Sequence, residues 1–269
     1  MLIAAYLLSV SGMIILPIVL AFYLTRKFNL SWKLVLAGAL TFIASQVLHI
    51  PVVYGLTAFL RSASAPIIPE AWRTLFNAIL LGLLAGIFEE TARWILFKSS
   101  MKNVKTWAEG VLVGVGHGGV EAVLLGLLAL TSIASMIAMR NADLAKLGIP
   151  AAQIELTKQQ LAAFWSTPVY MAFLGLIERV SAVSLHLSLS VMVLYSVAYK
   201  KPVWFWIALL WHALVDGLTV YLLPSVGALG VEGVVGVCAI VSLVILFRMK
   251  LLFVQPQANA VPAVAAQSV

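Results

Sequence analysis

Cysteine is almost absent from this chain: Cys238 stands alone in 269 residues. No intrachain disulfide and no cysteine-rich metal site can form. Charge is scarce as well. Asp, Glu, Lys and Arg together make up 10% of the residues, against about 25% in soluble domains. The long apolar segments lack strict alternation, which excludes a transmembrane β-barrel. No basic residue precedes the first apolar run, so that run reads as a retained span and not as a cleaved signal peptide. What fills the chain instead is apolar. Hydrophobic residues reach 63%, and several stretches exceed the roughly 20 residues that cross a bilayer. The expected fold is all-α: a polytopic transmembrane helix bundle, multi-pass in the plasma membrane.

Seven spans are expected, at about 2–24, 34–59, 74–97, 108–138, 167–199, 203–223 and 229–247. Basic residues alternate between the connections. Arg26, Lys27, Lys33, Lys98, Lys102, Lys105, Lys200, Lys201, Arg248 and Lys250 fall on one side; Arg61, Arg73, Arg140, Lys146 and Lys158 fall on the other. Such a bias places the N-terminus outside and the C-terminus in the cytoplasm. The net charge of +7 is thus topological and implies no nucleic-acid partner. Residues 1–250 read as one membrane domain, and 251–269 as a disordered cytoplasmic tail. In the long outer loop, Gln153 to Gln160 suits a short interfacial helix. Glu109 is expected to mark the start of the fourth span's helix.

A few polar side chains lie inside the spans. Glu89, Glu90 and Arg93 follow the run Ile79 to Ile87, and each charge costs roughly 2.5–3.5 kcal/mol at the centre of an isolated span. His117, Glu121, Glu178, Arg179, His186, His212 and Asp216 complete the set, with His49 apart. Glu89 and Arg93 are four residues apart, as are His117 and Glu121, and His212 and Asp216, so each pair shares a helix face. At ~1.5 Å per residue, Glu89, His117 and His212 lie about 13–14 Å from the cytoplasmic ends of their spans, and Glu121, His186 and Asp216 about 20 Å. Neighbouring spans run in opposite directions, so this agreement implies one shared cluster. Glu178 and Arg179 lie deeper and read as a structural pair. His49, near Gln46 and Pro51, reads as a hydrogen bond to a neighbouring helix.

Imidazoles and carboxylates are ligands of catalytic zinc. Equally, a glutamate can act as general base while a histidine stabilises an oxyanion. Adjacent glutamates project about 100° apart, so one can face water while the other holds Arg93. The bland alternative is a buried ion-pair network that fixes helix packing. A proton-coupled transporter would use the same residues as a relay, but the paired broken helices and inverted repeats of transporters are not evident. A histidine-ligated haem is a third option.

The motifs Glu89-Glu90-x-x-Arg93, Gly116-His117-Gly-Gly-Val-Glu121-Ala, His186 and His212-x-x-x-Asp216 resemble those of the YhfC-type intramembrane metalloproteases. More distantly they are similar to the PrsW proteases and the CPBP group, which includes the CaaX prenyl proteases. The likeness spans residues 74–223. Two residues separate the glutamate pair from Arg93, as in PrsW, where the CPBP pattern has three. His117 stands where PrsW has Phe. Both departures favour the YhfC type and argue against carrying over a CaaX substrate. The resemblance implies that Glu89, Glu90 and Arg93 form the catalytic, water-activating site. His117, Glu121, His186, His212 and Asp216 would be the metal or oxyanion set, with zinc as the implied ion and glutamate-only chemistry as the alternative. The implied partner is a transmembrane or membrane-adjacent protein substrate; the depth of the cluster, set below the cytoplasmic surface, has water entering from the cytoplasmic side. Related scaffolds also serve as non-catalytic subunits.

Overall fold

The computed structural model describes residues 1–62 and 67–253, and among them every regular element is helical. The elements are α1 (Leu2–Phe28), α2 (Lys33–Leu60), α3 (Glu70–Ile95), α4 (Trp107–Met139), α5 (Ala151–Ser166), α6 (Leu174–Ala198) and α7 (Val203–Phe253). A π-helical turn, Leu96–Ser100, extends α3, and a 3₁₀ turn, Val169–Phe173, leads into α6. That turn opens the expected fifth span of 167–199, which continues without a break through α6. Thr106 and Glu109 cap α4 reciprocally: the Thr106 hydroxyl accepts from the Glu109 amide at 3.4 Å, and Glu109 Oε2 accepts from the Thr106 amide at 2.8 Å. This is the helix start that Glu109 marked. α5 forms where the outer-loop helix was expected. It is largely exposed, and its Phe164 stacks on Tyr6 of α1 with ring centroids 5.1 Å apart.

Among the described residues, six helices are long and apolar enough to cross a membrane. The last, α7, is 51 residues, or about 76 Å at 1.5 Å per residue, and no bilayer is that thick. It is broken at Gly227, where φ is 67° and ψ is 176°, a conformation that is essentially glycine-only. Trp211 Nε1 donates to Ser242 Oγ at 2.9 Å. In one straight helix residues 31 apart would be about 46 Å distant, so α7 folds back on itself. Its limbs, 203–226 and 228–253, are the two spans expected at the end of the chain. The second limb runs on through Phe253, so Leu251, Leu252 and Phe253 are helical and not part of a disordered tail. Residues 254–269 of that expected tail lie outside the described residues.

Helices α2, α3, α7, α6 and α4 pack in that order into a ring, with α1 against α4 and α6 on its outside. α2 and α4 meet backbone to backbone: a Cβ at Gly38 would collide with the Val113 carbonyl, and one at Gly116 with the Val35 carbonyl. Small residues permit such approaches in membranes. α6 is the most enclosed element. Leu189, Val191, Met192, Val193 and Leu194 are wholly buried, and the hydroxyls of Ser188 and Ser196 bond back to the carbonyls of Leu185 and Val193. The ring therefore gives each of its five helices an inward face, and the polar residues of the spans occupy that interior.

Candidate metal and active site

Glu90 and Arg93, one turn apart on α3, form a fully buried ion pair. Arg93 Nη2 also reaches His186 Nδ1 on α6 at 2.7 Å. A guanidinium only donates, so His186 carries its proton on Nε2 and donates it to Glu121 Oε2 of α4 at 2.7 Å. Glu121 Oε1 accepts from Arg179 Nη1 at 2.6 Å, and Arg179 Nη2 donates to Glu178 at 2.6 Å. Glu178 and Arg179 do pair, as expected, but Arg179 is joined to the central cluster through Glu121 and does not stand apart in the outer leaflet.

On α7, His212 Nδ1 lies 2.7 Å from Glu90 Oε1, and its Nε2 lies 3.5 Å from Asp216 Oδ2 and 4.0 Å from Glu89 Oε2. Glu89 Oε2 is also 2.9 Å from His117 Nε2. The Thr41 hydroxyl of α2 donates to the Gly38 carbonyl at 2.6 Å, and its oxygen lies 3.3 Å from His117 Nδ1. The shorter contact assigns the His117 proton to Nε2, which donates it to Glu89 Oε2. Gln46 Nε2 donates to Glu89 Oε1 at 3.1 Å. The geometry thus brings together all eight residues picked out by spacing and resemblance: Glu89, Glu90, Arg93, His117, Glu121, His186, His212 and Asp216. His49 differs from expectation. Its Nδ1 meets Gln46 of its own helix at 3.3 Å, and its ring stacks on Phe88 of α3.

Three residues were not singled out by spacing. Thr41 and Gln46 bring α2 into the site, and only Gln46, one turn before His49 in an apolar span, carried a signal. Glu232, on the second limb of α7, has a buried Oε2 without a protein partner. It lies near the expected start of the last span, where a carboxylate reads as a loop charge.

The cluster can be tested for a metal. Glu89, His186 and His212 each offer a ligand atom within 4.8 Å of the other two, and all three are buried. One carboxylate and two imidazoles make up a donor set used by catalytic zinc. The second nitrogens of both histidines meet carboxylates, Glu121 and Glu90, an arrangement that orients metal-ligating imidazoles. Glu90 Oε2 is buried without a protein partner. The donor set fits a metal ion on one condition: the nitrogen of His186 left for the ion, Nδ1, accepts from Arg93 Nη2 at 2.7 Å, so binding would require that guanidinium to give way. The grouping differs from the expected one in placing Glu89 among the ligands and His117, Glu121 and Asp216 around them.

Fold and site together define a polytopic helical membrane protein with a buried glutamate–histidine centre suited to a metal. Residues 12–239 match the family model described as YhfC intramembrane metalloprotease, and the chain belongs to that family. A Bacillus subtilis (strain 168) protein described as "Uncharacterized membrane protein YhfC" is 34% identical over 219 residues, covering 78% of this chain and 82% of its own. No solved structure matches the chain.

Proposed function

We propose that the protein is an intramembrane endopeptidase that hydrolyses a peptide bond in a transmembrane or membrane-adjacent segment of another protein. The observation that carries this reading is the convergence of Glu89, His186 and His212 inside the ring, with ligand atoms within 4.8 Å of one another. These three would hold a divalent ion, zinc by donor type. A zinc ion in such a site lowers the pKa of its water to about 7 and polarises a carbonyl.

The remaining residues hold this centre in shape. Glu90 is wholly enclosed between Arg93 and His212, as the counter-charge of the guanidinium and the acceptor of the imidazole Nδ1–H. Glu89 is held by Gln46 and His117 and is the carboxylate of the pair that meets water. Glu121 fixes the imidazole of His186 and Glu90 that of His212, while Asp216 lies 3.5 Å from His212 Nε2, beside the ligand atoms. In the hydrolysis, water adds to the carbonyl carbon, the C–N bond breaks, and the water's proton leaves on the new amine. The ring excludes bulk water from competing with these contacts, which strengthens them.

The test is metal analysis and cleavage with the purified protein. Wild type is expected to carry one zinc per chain, His212→Ala to lose it, and Glu89→Gln to lose cleavage of candidate membrane substrates. Undiminished cleavage by a Glu89→Gln, Glu90→Gln double variant would sink the reading.

A further inference from the structure

The polar network is closed on one side and open on the other. Glu90, Arg93 and His117 have no exposed surface. The side chains of Glu121, Asp216 and Glu178 are 18%, 41% and 44% exposed. This gradient has one direction in the fold. Glu121 follows His117 on α4 and Asp216 follows His212 on α7, whereas Glu178 precedes His186 on α6, which runs antiparallel to both. A cavity of about 370 Å³ lies on that side. Glu121 and Asp216 line it, together with Arg179, Ala85 of α3, Thr219 of α7 and Ala182 of α6. On the other side of the histidines, Phe97, Leu112, Val113, Met192 and Leu194 fill the ring almost without exposure. A larger groove between α2 and α3, about 710 Å³, is mostly apolar and meets the site only at Thr41, beside His117. Neither opening is lined by the glutamate pair or the three clustered histidines; the smaller cavity is the one that reaches Glu121 and Asp216, the carboxylates beside His186 and His212.

The closed half is the one whose connections carry most of the Lys and Arg. Lys98, Lys102, Lys105, Lys200 and Lys201 all lie at that end, and such loops stay in the cytoplasm. We propose that the site is reached from the extracytoplasmic face, through the cavity floored by Glu121 and Asp216. This reverses the cytoplasmic entry expected from depth alone. It rests on the endopeptidase reading for its consequence: the bond cleaved lies in the extracytoplasmic half of the substrate's membrane segment. The cavity is small, so an unwound segment enters side chain first and a folded helix does not.

The single cysteine makes the test direct. In a Cys238→Ala background, Thr219→Cys and, separately, Ala182→Cys place a thiol on the cavity wall. Lys201→Cys, in an exposed loop at the closed end, reports which face is cytoplasmic. A small membrane-impermeant thiosulfonate reagent is applied to intact spheroplasts and to inverted vesicles. The expected result is labelling of Thr219→Cys and Ala182→Cys in spheroplasts, its loss in inverted vesicles, and the opposite pattern for Lys201→Cys. Labelling of both cavity thiols from the cytoplasmic face, from both faces or from neither overturns the proposal. Using two positions on different helices keeps a folding defect at one from deciding the outcome. Labelling needs no proteolysis, so failure of the access route and failure of the endopeptidase reading are read separately. Mapping the termini of any cleaved substrate then tests the consequence.

Discussion

Arg93 makes more contacts in the centre than any charge-matching role requires. It pairs with Glu90 and donates to His186, so it fixes one carboxylate and one imidazole tautomer at once. Removing one partner of a buried ion pair costs about 3–5 kcal/mol, because the other charge is left uncompensated. Arg93→Ala should lower the unfolding temperature in detergent strongly. Arg93→Lys should recover little, since an ammonium lacks the planar fork that spans two acceptors. At Glu121 the expectation is different. This side chain accepts from His186 and is itself held by Arg179, so Glu121→Gln should leave the protein folded while weakening zinc binding about 10–100-fold, read by competition with a chelating dye. The residues visible from the sequence were those whose cost in a bilayer is high. Charged and imidazole side chains stand out against an apolar span, and their depths agreed. Thr41 stayed hidden because a hydroxyl that returns to its own helix backbone is cheap in lipid and carries no mark of function.

Among the elements, α7 shows how one residue sets a turn. The sequence parts its two spans at 224–228, around Pro224 and Gly227, with no polar loop between them. The positive φ at Gly227 is what turns the chain there. Gly227→Val should destabilise the hairpin by about 1–3 kcal/mol. A flexible bifunctional thiol cross-linker should bridge Trp211→Cys and Ser242→Cys, in a Cys238→Ala background, with Gly227 in place and poorly in the valine variant, measured by gel mobility. The ends of the other spans were legible for a plainer reason. Capping residues such as Thr106 and Glu109, and the lysines of the short loops, mark where the apolar runs must stop. The 3₁₀ turn at Val169–Phe173 left no such mark, because it is built from residues as apolar as the helix it precedes.

For the whole molecule, helix number and class followed from composition, but the packing order did not. Nothing in hydropathy says that α6 is enclosed while α1 lies outside the ring. That difference comes from glycines and serines placed to meet particular neighbours, and each is readable only once the neighbour is known. Orientation is a separate matter, argued from charge. Reporter fusions at residue 250 should be active only when the reporter folds in the cytoplasm, and fusions in the 140–150 loop only when it folds outside.

Chain order adds a consequence for biogenesis. α7 contacts both α3 and α6, and it supplies His212, the partner of Glu90. A nascent chain that has inserted everything up to residue 202 holds an open ring, with the Glu90 side lacking its imidazole and the central α6 still facing lipid. The ribosome must deliver the last hairpin before the centre exists at all. Until then His212 is missing from the Glu89, His186 and His212 group, so a chain interrupted before residue 203 lacks the centre.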